Sequence, residues 1–307
     1  MQGMIIRSTG SWYEIVTDEK EIFKGRLPGK FKLKNFKVTN PIAVGDYVDF
    51  TIENTVERTV VIDKIHPREN YMIRRSVHKT GHGHMIAANI DQSILVVTLV
   101  LPRTSLGFID RFLVSCEAFR IPAVLVFNKI DLYDEELAAY QQDLIKIYDS
   151  LGYQCIMTSV QTGEGIETFR NSLKNKKSLI SGHSGVGKSS LINLIAPDLQ
   201  LRTGNISEFS LKGKHTTTFA EMFELEPNTY IIDTPGIKEL GIFDMEEEEI
   251  SHYFPEMRAL LGECKFNNCK HLNEPGCKII EQVEKGAIAL SRYESYLSML
   301  MDEDSRK

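Results

Sequence analysis

The sequence predicts a multidomain α/β protein: a small N-terminal β-barrel, a central, mostly parallel sheet with helices on its faces, and a C-terminal helical module that holds a metal. Three observations predict it. Residues 1 to about 70 alternate short β-rich runs with Gly and Pro punctuation, residues 71 to 240 alternate apolar runs with helical patterns, and three of the five cysteines crowd into residues 264 to 277.

In the first region, MIIRSTGSWYEIV, EIFKGRLPGK, DYVDFTI and RTVVIDKIHP read as short strands between turns, the pattern of a small barrel. Within it, FKGRLPGKFKLKNFK carries Lys24, Arg26, Lys30, Lys32, Lys34 and Lys37 with no acid between them. Phe23, Phe31 and Phe36 are interleaved, a mixture that meets phosphates and stacks bases, so the stretch is a candidate RNA-binding surface. A solvated hairpin whose phenylalanines pack inward is the alternative.

In the second region IDQSILVVTLV reads as a buried strand, TSLGFIDRFLVSCEAFR as a helix, IPAVLVFNKID as a strand, and ELAAYQQDLIKIYDSLG as a helix ending at Gly152. YQCIMTS is then a strand, GIETFRNSLKN a helix, KSLISG a strand, and GKSSLINLIA the start of the next helix. Beyond 240, DMEEEEISHYFPEMRALL reads as a helix with an acidic start, where negative charge suits the helix dipole, and a helical tail follows the cysteines. The expected divisions are 1–70, 71–240 and 241–307.

Composition narrows the function classes. The 307 residues are 42% hydrophobic and 25% charged, ordinary for a water-soluble chain, and a net charge of −6 argues against a uniformly basic nucleic-acid coat while allowing a local basic face. The start, MQGMIIRSTGSWYEIVTD, has no apolar h-region, and the longest aliphatic run, near Ile94 to Leu101, is far short of a membrane span. A cytoplasmic monomer without membrane contact is expected.

Gly182 to Ser189, GHSGVGKS, matches G-x-x-x-x-G-K-[ST] between the strand KSLI and the helix SSLINLIA. Backbone N–H groups of Gly182, His183, Ser184, Gly185, Val186 and Gly187, with the helix start at Ser189 and Ser190, are suited to surround phosphate oxygens. Lys188 is expected to reach the β and γ phosphates and Ser189 to hold Mg²⁺. Asn128, Lys129, Ile130 and Asp131 end the strand AVLVF, and a carboxylate there accepts hydrogen bonds from N1 and the 2-amino group of guanine, selecting GTP over ATP. Thr158 and Ser159 are placed to complete the base pocket.

Asp233 and Gly236, in DTPG after the strand TYII, fit a role behind the Mg²⁺ and an amide contact to the γ-phosphate. Upstream, His215-Thr216-Thr217-Thr218 would supply a threonine hydroxyl to the same metal, from Thr217 or Thr218. These segments resemble the motifs of the GTPase superfamily in cyclically shifted order, since N-K-x-D precedes the phosphate loop here. A sheet tolerates that permutation because domain termini lie near each other on the surface. Ile237 stands where familiar GTPases carry the glutamine that orients water, so slow intrinsic hydrolysis is expected, with His215 as the candidate catalytic group. A histidine that only caps the loop is the alternative.

Cys264, Cys269, His271 and Cys277 offer three thiolates and one imidazole, a closed set for one structural Zn²⁺ with no position left for catalysis, with free buried thiols as the alternative. Lys265, Lys270 and Lys278 are placed to turn that module toward RNA phosphate. Cys116 and Cys155 read as core, and His82 and His84 as a glycine-flanked loop rather than a metal site.

With GHSGVGKSS, GKHTTT, DTPGI and CKFNNCKHLNEPGC together, essentially the whole chain resembles the ribosome small subunit-dependent GTPase A family, also called RsgA or YjeQ/YloQ. The segment VHKTGHGHM departs from that family's pattern by its histidines. The resemblance implies a barrel of OB type, GTP hydrolysis stimulated by the small (30S) ribosomal subunit, and a role in that subunit's late maturation. GTP would then order residues 213–218 and 233–237 and fix the barrel and metal module for ribosome binding. A guanine-nucleotide sensor that binds RNA without turnover, or a GTPase for the large subunit, are the alternatives.

Overall fold

Alternation of apolar and polar residues in the first five strands wraps one buried face onto itself. A computed structural model of the chain describes residues 1–9, 11–28, 41–75, 83–199, 220–233 and 246–301. Strands β1 (Gln2–Ser8), β2 (Tyr13–Val16), β3 (Ile22–Arg26), β4 (Tyr47–Asn54) and β5 (Thr59–Ile65) pair antiparallel as β1–β2, β2–β3, β4–β5 and β1–β4, while β3–β5 is parallel. The circuit closes, and closure leaves no free edge within it. Ile5, Tyr13, Ile15, Phe23, Val48, Phe50 and Ile62 fill the interior. Phe23 is buried with its ring 5.4 Å from that of Phe50, so it packs inward instead of stacking on a base. Phe31 and Phe36 lie outside the described residues.

A hairpin of β6 (Tyr71–Arg75) and β7 (Gly83–Ala88) follows the barrel. It places His84 on a strand, where a loop was expected, because the apolar run MIAA carries the pairing. His82 lies outside the described residues.

The central layer is built from β8 (Gln92–Val97), α1 (Leu106–Ala118), β9 (Ala123–Asn128), α2 (Glu135–Ser150), β10 (Gln154–Thr158), α3 (Ile166–Leu173), β11 (Lys177–Ser181), α4 (Lys188–Ile195), β12 (Glu221–Glu226) and β13 (Thr229–Asp233). Strand order is β10-β9-β8-β11-β13-β12, parallel throughout except for the antiparallel β12. Every residue of β8 is buried, as a strand covered on both faces requires. Ser105 caps α1 and Asp134 caps α2, each side chain accepting an N–H from the first turn.

β1 also joins this layer. It pairs with β12 at Arg7 and Glu221, so barrel and central sheet form one continuous set of strands. Lys20 of the barrel donates to Tyr230 Oη at 3.1 Å and pairs with Glu224, and Lys177 of the central sheet reaches Tyr47 Oη of the barrel at 3.4 Å.

The C-terminal part differs from the single acidic helix expected. Glu247–Tyr253 is a 3₁₀ helix, and α5 (Pro255–Arg258) starts afresh at Pro255 after an extended Phe254. Proline suits the first helical position but disfavours a helical residue before it, which breaks the run there. Helices α6 (Lys278–Glu284) and α7 (Leu290–Leu300) complete the part, and Ile250, Phe254, Met257, Ile279 and Tyr296 pack with Val114 of α1. At this seam Arg292 of α7 is buried, donating to Asp110 at 2.7 Å and to Glu256 at 2.8 and 3.2 Å, with its guanidinium 4.6 Å from the Phe254 ring centre. Among the described residues no helix is long and apolar enough to cross a membrane.

Candidate nucleotide site and metal centre

Parallel strands end on one edge of their sheet, and loops gathered there face a common ligand position. The C-terminal ends of β9, β10 and β11 bring together three of the sequence-predicted segments: Asn128 to Asp131, Thr158 with Ser159, and Gly182 to Ser190. Asp233 ends β13 beside β11 at the same edge, and only its backbone position is described. His215, Thr217, Thr218 and Gly236 lie outside the described residues.

Asn128 binds these loops to one another. Its Nδ2 donates to the Val186 carbonyl at 2.8 Å and its Oδ1 accepts from the Thr158 hydroxyl at 3.0 Å, all deep in the interior. The approach is close enough that a Cβ on Gly187, at φ +99°, would stand 2.3 Å from Asn128 Nδ2. Gly182 is held the same way, since a Cβ there would meet the Val96 carbonyl at 2.4 Å. Only glycine fits either place.

Lys129 takes a left-handed backbone, φ 63°, and starts the 3₁₀ turn Ile130–Leu132 that carries Asp131. The Ser159 hydroxyl donates to Asp131 Oδ1 at 2.5 Å, fixing a carboxylate at the rim of the site. Lys188 opens α4 with its ammonium on the carbonyls of Gly182 at 2.6 Å and His183 at 2.8 Å. That places the cation over the glycine loop at a helix N-terminus, an arrangement able to receive polyphosphate. Ser189 is buried on the first turn of α4, and the His183 ring lies 4.0 Å from that of Phe108 on α1.

The chain from Thr98 to Thr104 also belongs to this edge, and sequence motifs alone gave no sign of it. Lys129 Nζ donates to the Leu101 carbonyl at 2.5 Å, and the Leu99 N–H donates to the Tyr133 hydroxyl at 3.0 Å. The available signal was a tyrosine two positions after Asp131 and a proline with threonines in TLVLPRTS, after a buried strand.

The thiols and imidazole of Cys264, Cys269, His271 and Cys277 lie with ligand atoms within 4.8 Å of one another. His271 Nδ1 stands 3.4 Å from Cys277 Sγ and 3.7 Å from Cys264 Sγ. Metal–sulfur and metal–nitrogen bonds of ordinary length at a tetrahedral angle put such atoms about 3.6 Å apart, so the donors fit one small tetrahedral cation. Backbone N–H groups of Lys278 and Ile280 point at Cys264 and Cys277 sulfur, and burial still raises the Cys277 thiol. Burial pushes the Cys269 thiol up to about 12, so an added cation is what would ionise it. The backbone that carries the imidazole is held from outside: Tyr293 and Tyr296 donate to the main-chain carbonyls of His271 and Lys270 at 2.6 and 2.7 Å. Cys116 is fully buried, and burial raises both its thiol and that of Cys155.

The basic groups divide. Lys24 is exposed on β3, while Arg26 pairs with Glu53 of β4, an acid absent from its own stretch of sequence, at 3.1 Å. Lys30, Lys32, Lys34 and Lys37 lie outside the described residues. Lys270 is tied to Glu247 and Glu248, and Lys278 to Glu281, which leaves Lys265, resting 5.5 Å over the Phe266 ring, as the cation of that trio without an ion-pair partner among the described residues.

Comparison with known proteins agrees with this arrangement. Residues 65–243 match the RsgA GTPase family and residues 2–60 the RsgA N-terminal domain. A protein of Cytophaga hutchinsonii named small ribosomal subunit biogenesis GTPase RsgA is 56% identical over 307 residues, 100% of both chains. A Bacteroides fragilis protein of the same name is 50% identical over 100% of this chain and 98% of its own. The crystal structure of YjeQ from Thermotoga maritima superposes with a TM-score of 0.78 at 38% identity, covering 100% of this chain and 99% of that one. YloQ, described as a circularly permuted GTPase, gives 0.74 at 28% identity, covering 100% and 96%. The shifted motif order and the barrel therefore have one explanation: the chain belongs to the RsgA GTPase family and hydrolyses GTP.

Proposed function

We propose that this GTPase acts on the small ribosomal subunit in the cytoplasm, binding it and hydrolysing GTP to GDP and phosphate during its late maturation, with the subunit as activator. The observation that carries the reading is full-length similarity, at 56% identity, to a protein named for small-subunit biogenesis. The chain's divisions would be a barrel over 1–70, the GTPase part over 71–240 and the metal module over 241–307, acting as a monomer.

In this reading Asp131, steadied by Ser159, reads the guanine edge, with Asn128, Lys129, Ile130 and Thr158 shaping the pocket. Backbone amides of Gly182 to Ser190 and the Lys188 ammonium hold the phosphates. The hydroxyls of Ser189 and Thr217 would hold Mg²⁺, which supplies charge neutralisation between the β and γ phosphates, with Asp233, Gly236 and Thr218 around it. Cys264, Cys269, His271 and Cys277 would hold one structural Zn²⁺. Lys24, Arg26, Lys30, Lys32, Lys34 and Lys37 meet rRNA phosphates.

The test is the GTP hydrolysis rate of the zinc-loaded protein alone, with small subunits and with large subunits. Stimulation by small subunits alone is expected. Equal stimulation by both, or none by either, defeats the proposal. His215→Ala is expected to remove the stimulated rate, by about 100-fold or more, and to spare GTP affinity. Full stimulation in that variant would take the catalytic role from His215.

A further inference from the structure

The loop that carries Asp131 is tied off by a residue outside its motif. The Tyr133 hydroxyl donates to the Asn128 carbonyl at 3.1 Å and accepts the Leu99 N–H at 3.0 Å. The first bond closes the loop from end to end, and the second fastens it to the chain leaving β8. Inside the loop the N–H groups of Leu132 and Tyr133 return to the carbonyls of Lys129 and Ile130 at 3.0 and 3.1 Å. Little freedom is left to Asp131.

The chain that receives this loop is itself braced. The Thr104 N–H donates to the Thr98 carbonyl at 2.8 Å, the Thr98 N–H returns to the Thr104 hydroxyl at 3.2 Å, and the Thr98 hydroxyl bonds the Pro102 carbonyl. Residues 98–104 hold Lys129 through the Leu101 carbonyl and lie against the phosphate loop, where a Cβ on Gly185 would stand 3.5 Å from Pro102 Cδ. Burial, reinforced by Asp131 and opposed by the Leu99 hydrogen bond, raises the Tyr133 phenol and keeps it a donor.

We infer that Tyr133 is a positioning residue for base selection: its hydroxyl, braced on residues 98–104, aims the Asp131 carboxylate and thereby sets discrimination against bases that lack the guanine 2-amino group. The inference rests on the nucleotide-site reading above. A tyrosine that only filled space would act through its ring, and phenylalanine keeps the ring.

The experiment compares GTP with ITP, which lacks that amino group, by equilibrium binding to the full chain and to Tyr133→Phe. Wild type should prefer GTP, and in Tyr133→Phe the GTP:ITP preference should fall by about fivefold or more through weaker GTP binding. The denaturation midpoint should fall somewhat in Tyr133→Phe, because the Leu99 N–H and the Asn128 carbonyl lose a partner, so both nucleotides are titrated under conditions where the variant is folded. A preference unchanged in the variant, or an equal loss of both nucleotides, overturns the inference while the site reading stands. Absence of a GTP preference in wild type overturns both. In an Asp131→Ala background Tyr133→Phe should leave the ratio unaltered, since the carboxylate it aims is gone, and a further change there overturns the inference.

Discussion

Chelating the metal from Cys264, Cys269, His271 and Cys277 is expected to unfold the segment between α5 and α6. From Ala259 to Cys277 that segment has no α-helix or strand, and a run of this length inside a compact part needs a staple. Structural zinc in small modules binds with an apparent free energy on the order of 10 kcal/mol, and because the site does not exist in the unfolded chain, that energy is folding energy. The flanking helices share an apolar cluster with Val114 of α1, so they should hold longer than the loop. Hydrogen exchange across 264–277, measured before and after chelation and in Cys277→Ser, should rise sharply in that segment. Elemental analysis should find one zinc per chain. A metal-free preparation with the same slow exchange would remove the metal from the account of this fold.

Arg292→Ala should cost about 3–5 kcal/mol in chemical denaturation, the second largest effect. The guanidinium is 1% exposed and stands between two carboxylates, Asp110 on α1 and Glu256 on α5. Burial pushes the Asp110 carboxyl up, and Arg292 opposes that shift, so truncating the arginine leaves a buried carboxylate to bear desolvation without its partner. The loss arises from the orphaned group more than from the pair's own worth. Asp110→Asn combined with Arg292→Ala should therefore destabilise by clearly less than the sum of the single changes, with a coupling of about 1 kcal/mol or more. Additive losses would show that the pair does not work as a unit.

The sequence made the central sheet legible because its strands are apolar on both faces and its glycine loop sits between a strand and a helix, constraints that are local. The Cys₃His cluster was legible because all four ligands fall within one short stretch. What escaped reading depends on distant partners. Arg292 and Asp110 are 182 positions apart, and Arg26 meets Glu53 only after β3 and β4 have been brought into the same barrel. Phe23 looks like an RNA-facing aromatic among lysines until the barrel closes and turns it toward Phe50. Tyr133 carries no motif, and the second partner of its hydroxyl, Leu99, lies 34 positions earlier. The acidic run does not continue through Pro255 as one helix for a local reason, since the proline's demand on Phe254 outweighs a charge pattern that suits a helix start.

The seam between β1 and β12 has a consequence for solubility. In the order β10-β9-β8-β11-β13-β12 the last strand would end the sheet with unpaired backbone groups, an invitation for another molecule to add a strand. β1 meets that edge at one residue, Glu221, and Glu221, Glu224 and Glu226 line the strand with negative charge, Arg7 and Lys20 answering from the barrel. The barrel thus serves as an edge guard for the GTPase sheet as well as a candidate RNA surface. A chain begun at residue 66 would lose the guard and keep the charges, and its self-association should grow as salt screens them.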